Sequence, residues 1–261
     1  MRIIKSPACR TFLCLVKARF LCYTIAMKKS VKIVIISAIA LAVVAAVFLC
    51  VWFLHVVPAR EQKERERLVK EYREAKLARY QEENAALLPG EEVVLFLGDS
   101  LTDGCPLETY YPDYKTLNRG IGGDTTFDLE KRLQVSAYDA NPKVLVLLIG
   151  GNNLYTMFEN YETILQGIKQ NLPETKVILV SLTAMGGKWA KKNEIAALNN
   201  VRIELLAEEY GFYFVDVFTP LFDPETMQVK QGYTADGAHF TAEGYAVVSA
   251  EINKAIVAVL Q

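Results

Sequence analysis

The sequence predicts a three-layer α/β/α domain on a parallel sheet, preceded by one membrane-crossing helix and a charged helical stalk. Two observations predict the domain. Val93–Leu97 (VVLFL) and Val144–Ile149 (VLVLLI) are continuous apolar runs, as parallel strands buried on both faces require. Helical patterns near Thr126–Val135, Tyr161–Leu172, Lys192–Tyr210 and Thr241–Leu260 alternate with strand candidates, adding Val177–Val180 and Phe212–Val217. A third observation predicts the helix: from Ile33 to Val57 no residue carries a fixed charge.

Residues 1–32 read as a cytoplasmic tail, and Met27-Lys28-Lys29 offers an alternative start that would make 1–26 an upstream extension. The run 33–57 would make roughly 37 Å of helix at 1.5 Å per residue, enough to cross the hydrocarbon core. That is longer than the apolar region of a cleaved signal peptide, so an uncleaved signal-anchor is expected. Lys28, Lys29 and Lys32 before the run place the amino terminus in the cytoplasm and the body outside it. Residues 58–88 alternate acid and base at i,i+4 with a thin stripe of Leu68, Tyr72, Leu77 and Tyr80, the pattern of a solvated stalk. Leu88-Pro89-Gly90 ends it, and the body is expected over 89–261.

Composition excludes several classes of function. With 52% hydrophobic and 23% charged residues the chain is neither disordered nor fibrous. A net charge of −1 argues against nucleic acid as a partner. Of five cysteines only Cys105 lies in the body, so no disulfide braces it and no cysteine–histidine metal site is expected.

Ligands bind open parallel sheets beyond the carboxyl ends of the strands. Four polar or glycine-rich clusters fall there: Gly98-Asp99-Ser100-Leu101, Asn118 to Thr125, Gly150-Gly151-Asn152-Asn153, and Asp236-Gly237-Ala238-His239. His239 is the only histidine of the body, and a serine nucleophile needs such a base. Asp236, three residues earlier, is within one turn of the imidazole Nδ1–H.

These four blocks, in this order across 91–261, resemble the SGNH/GDSL family of serine esterases and acylhydrolases. The resemblance implies a flavodoxin-like fold, Ser100 as nucleophile, and Asp236 and His239 as its partners. It implies an oxyanion hole made by the N–H groups of Ser100 and Gly123 and the side chain of Asn152, with Gly122 the neighbouring alternative. Asn153 stands where many members carry aspartate. No Gly-x-Ser-x-Gly surrounds Ser100, which excludes the α/β-hydrolase elbow. Asp99, Leu101, Asn153, Tyr110 and Trp189 are candidate substrate-lining residues, and Cys105 is read as a bystander.

The expected activity is hydrolysis of a carboxylic ester through an acyl-enzyme on Ser100, without metal or organic cofactor. The substrate would be small or polymer-borne, either O-acetyl groups on envelope carbohydrate or acyl esters of lysophospholipid type. An O-acyltransferase using the same residues, or a catalytically silent glycan- or protein-binding module, are the alternatives.

Overall fold

The computed structural model describes residues 17–19 and 28–261. The rest of the segment before Lys28, with Cys9, Cys14, Cys22 and the alternative start at Met27, lies outside them. The described chain divides into two compact units, Met1–Lys70 and Glu71–Gln261.

In the first unit α1 (Lys29–Val51) runs through a π-helical turn at Trp52–Val56 into α2 (Val57–Ala85). No residue of α1 is buried. It is the one helix among the described residues long and apolar enough to cross a membrane. Beyond it, Arg67 pairs with Glu64 one turn away, the local support expected of an exposed charged helix.

The second unit contains a five-stranded parallel sheet of order β2-β1-β3-β4-β5. The strands are β1 (Val94–Gly98), β2 (Thr116–Gly120), β3 (Val144–Leu148), β4 (Lys176–Val180) and β5 (Tyr213–Val215). This is the flavodoxin-like order, whose direction reverses between β1 and β3. Every residue of β1 and β3 is buried, which explains their unbroken apolar runs.

Short α3 (Ser100–Asp103) and α4 (Leu107–Tyr110) follow β1, and α5 (Thr126–Glu130) follows β2. Then come α6 (Tyr161–Asn171), α7 (Asn193–Tyr210), α8 (Phe218–Leu221), a two-stranded ribbon of β6 (Phe222–Asp223) and β7 (Gln228–Val229), and α9 (Ala242–Leu260). Helices α5, α6 and α7 pack in sequence, and α9 packs with α4 and α8. The expected helix over Thr126–Val135 is shorter: α5 stops at Glu130, and a π-helical turn takes Gln134–Tyr138.

Strand β2 was not foreseen. It is an edge strand reading TLNRG, and the residue it buries most deeply is Arg119, fully inaccessible. Polar residues hide a strand from any search for apolar alternation.

What covers that edge changes the domain boundary. The expected stalk, 58–88, and body, 89–261, divide after the helix, whereas the second unit begins at Glu71, inside α2. Tyr80 is 1% exposed; its hydroxyl donates to the Gly120 carbonyl at 2.6 Å, and the Arg119 guanidinium lies 4.5 Å from its ring centre. Arg119 pairs with Glu83 and donates to Asn84, and the Asn84 amide donates to the Val135 carbonyl at 2.7 Å. Two tyrosines and a handful of ions replace an apolar stripe, so the docked face has the composition of a solvated one.

Candidate active site

The site forms where the sheet order reverses, between the carboxyl ends of β1 and β3. Asp99 ends the turn after β1 and caps α3, its carboxylate accepting the Leu101 N–H at 3.0 Å. Ser100 is thereby the first residue of α3, with its hydroxyl in the crevice and its N–H at a helix start.

His239 reaches the same point from the loop before α9. Its Nε2 accepts the Ser100 Oγ–H at 3.0 Å, and its Nδ1–H donates to Asp236 Oδ2 at 2.9 Å. The other oxygen of Asp236 accepts the N–H groups of Ala238 and His239 at 3.0 and 2.9 Å. The His239 N–H, the imidazole and then the Ala238 N–H hold this carboxyl well below the usual carboxylate range. Gly237 permits the loop: its φ is +89°, and a Cβ there would stand 2.3 Å from the Gly186 carbonyl oxygen. Gly186 donates its N–H to the Gly237 carbonyl at 2.7 Å, tying the histidine loop to the segment carrying Trp189.

The loop after β2 supplies the third wall. Gly123 has φ +82° and opens the turn into α5, which Thr125 and Asp128 close with a reciprocal capping box. Among the described residues no hydrogen bond engages the N–H of Ser100 or of Gly123. Gly122 lies beside Tyr72: a Cβ on it would stand 3.9 Å from the Tyr72 hydroxyl. The Asn152 amide donates to the Asp124 carbonyl at 2.9 Å and lies 3.4 Å from an Asp99 oxygen.

Asp99 and Asp124 are both buried. Burial pushes the Asp99 carboxyl up to about 6, against the opposing Leu101 N–H. Burial also raises Asp124, although Arg132 and Arg73 both pair with it.

A cavity of about 240 Å³ opens over the serine. Ser100, Asp99, Leu101, Asn152, Asp236 and His239 line it, joined by Trp189. Two of the candidate lining residues are elsewhere. Tyr110 donates to the Ala242 carbonyl and stacks near Tyr245, and Asn153 bonds to Thr126 at the start of α5. Cys105 is a bystander in the cavity chemistry: burial raises its thiol to about 12.

Sequence reasoning missed the two lysines that flank Trp189 at the mouth. The Lys188 and Lys192 ammonium groups lie 4.8 and 4.6 Å from the indole, and neither has a carboxylate partner among the described residues. Their one sequence signal is the run Lys188-Trp189-Ala190-Lys191-Lys192 in the segment that follows β4.

The profile of the GDSL-like Lipase/Acylhydrolase family matches residues 96–247. The chain belongs to this family. All four blocks fall within the match, and hydrolase chemistry comes with membership. Among solved structures, a Streptococcus pneumonia protein provisionally named a platelet activating factor is 27% identical, with a TM-score of 0.67 over 75% of this chain and 98% of its own. A GDSL-like lipase from Bacteroides thetaiotaomicron is 29% identical, with a TM-score of 0.58 over 70% of this chain and 98% of its own. An acetylxylan esterase from Geobacillus stearothermophilus shares the fold at 19% identity, with a TM-score of 0.53 over 62% of this chain and 93% of its own. No curated protein matches the sequence significantly.

Proposed function

We propose that this GDSL family member is a serine ester hydrolase that removes short acyl groups, acetyl foremost, from a polar alcohol such as an envelope sugar. The observation that carries the reading is the unbroken relay from Ser100 Oγ through His239 to Asp236, beside two unengaged N–H donors.

In the reaction the Ser100 oxygen attacks the ester carbonyl while His239 Nε2 takes its proton. The carbonyl oxygen becomes an anion facing the Ser100 and Gly123 N–H groups and the Asn152 amide. His239 then protonates the departing alcohol, leaving an acyl group on Ser100. A water, deprotonated by the same imidazole, releases the acid. Asp236 fixes the tautomer and stabilises the imidazolium, and these steps need no cofactor.

Space favours a short acyl group. Behind Leu101 the adjoining void adds only about 30 Å³, which suits a short acyl chain better than a long one. Trp189 at the mouth suits a sugar face, and the flanking lysines favour an alcohol that carries negative charge. The apolar helix would hold this body at the outer face of the cell membrane, amino terminus inside.

The test is turnover by the full-length chain in detergent of p-nitrophenyl esters of increasing acyl length, beside Ser100→Ala. Serine-dependent turnover that peaks at acetate supports the reading, and a peak at long chains moves the substrate to lipid. No turnover, with no fluorophosphonate adduct on Ser100, leaves a binding module.

A further inference from the structure

Helix α2 does more than cover the sheet edge, because its first docked turns reach the oxyanion loop. Tyr72 donates to the carboxylate of Asp103, the last residue of the helix that begins with Ser100. The same hydroxyl lies 3.9 Å from where a Cβ on Gly122 would stand, and that Cβ would be 4.0 Å from Ser100 Cβ. Lys76 pairs with the other oxygen of Asp103. Next to Tyr72, Arg73 pairs with Asp124 and, at 3.4 Å, with Asp128 of the capping box.

Gly123 thus sits between Gly122, which lies beside Tyr72, and Asp124, which Arg73 holds by an ion pair. Asp124 also presents the carbonyl that orients the Asn152 amide. From within the domain the oxyanion loop is held by Arg132, which bonds Asp124, the Arg119 carbonyl and the Gly98 carbonyl. A glycine at φ +82° with no packing at its Cβ position has little of its own to fix it.

We infer that Tyr72 and Arg73 are positioning residues for the oxyanion hole: they fix the Gly123 N–H and the Asn152 amide relative to Ser100, so that α2 completes the catalytic site. This rests on the proposed ester hydrolysis and assigns residues that precede the family-matched segment. A donor aimed where negative charge develops acts on the transition state and little on bound substrate. Loosening it therefore lowers kcat and kcat/KM together and leaves KM alone.

The experiment compares Tyr72→Phe, Arg73→Gln and Arg73→Lys in the full-length chain, with Asn84→Ala on the same helix as control. Asn84 bonds Val135 and Arg119, away from the loop. Turnover of p-nitrophenyl acetate and inhibition by phenylboronic acid, whose tetrahedral serine adduct places an oxygen in the hole, are measured beside the melting temperature. Tyr72→Phe and Arg73→Gln should each lower kcat about tenfold and weaken the boronate about as much, with KM within about twofold. Arg73→Lys keeps a cation beside Asp124 and should recover most of the loss. Asn84→Ala should lower the melting temperature and leave kcat in place. Should both variants keep kcat and boronate affinity while melting early like the control, α2 is scaffold alone and the inference fails. Wild-type chain without serine-dependent turnover would instead refute the ester hydrolysis, and the inference with it.

Discussion

Burial beside Ser100 pushes the Asp99 carboxyl up to about 6, against 3.8 for an ordinary aspartate. A carboxyl raised in this way stabilises the fold relative to its ionised state fully below about pH 3.8, and that stability is lost as pH rises through about 6. At 1.36 kcal/mol per pH unit, ionising Asp99 in place costs up to about 3 kcal/mol above pH 7. Asp99→Asn keeps the cap on α3, since asparagine serves that position as well, and removes the charge. For a body of this size 1 kcal/mol moves the melting temperature by about 2–4 °C. The variant should therefore melt about 6–12 °C higher than the parent at pH 8 and coincide with it below pH 4. The assay is intrinsic-fluorescence melting of the full-length chain in detergent across that range. Equal melting temperatures at pH 8, or a variant that melts lower there, would show that Asp99 is ionised at no cost and refute the reasoning.

Asn152→Ala should reduce kcat by about 10²–10³ with little change in KM, read from ester turnover. Asp236→Asn should leave the fold intact and cut kcat by about 10⁴ at neutral pH, because the imidazole loses the acceptor that sets its tautomer. Asp236 is held below the usual range, so its contribution to stability is present above about pH 3.8 and fades only in stronger acid, and the acid limb of the rate profile should show no titration from it. Gly237→Ala meets both a left-handed φ and the Gly186 carbonyl and should lower activity and melting temperature together. Tyr80→Ala, at a position 1% exposed, should cost about 3–5 kcal/mol, seen as early melting.

The central sheet was legible because β1 and β3 are buried on both faces and must read as unbroken apolar runs. The meeting of Ser100, His239 and Asp236 was legible because the body holds one histidine and because strand ends are where ligands bind. Strand β2 was hidden because only Leu117 among its buried positions is a large apolar residue, while Arg119 brings a charge inside that Glu83 neutralises. The docking of α2 was hidden for the same reason: Tyr72, Arg73, Lys76 and Glu83 are the residues of a solvated helix until their acidic and basic partners are known. Tyr110 shows the opposite error, an aromatic near the nucleophile in sequence that the fold turns toward α9.

The division of α2 at Lys70 also decides how much of the helix could be exchanged. Before it, Arg67 pairs with Glu64 and Arg60 lies over the Trp52 ring, local contacts that a helical spacer of similar length should replace. From Glu71 onward the same helix brings counter-charges to Asp103, Asp124 and Arg119, so a replacement there would strand Asp103 and Arg119 and leave Asp124 with Arg132 alone. Joining the second unit to another helix, or expressing it alone, should succeed with a junction near residue 70 and fail with one near 89.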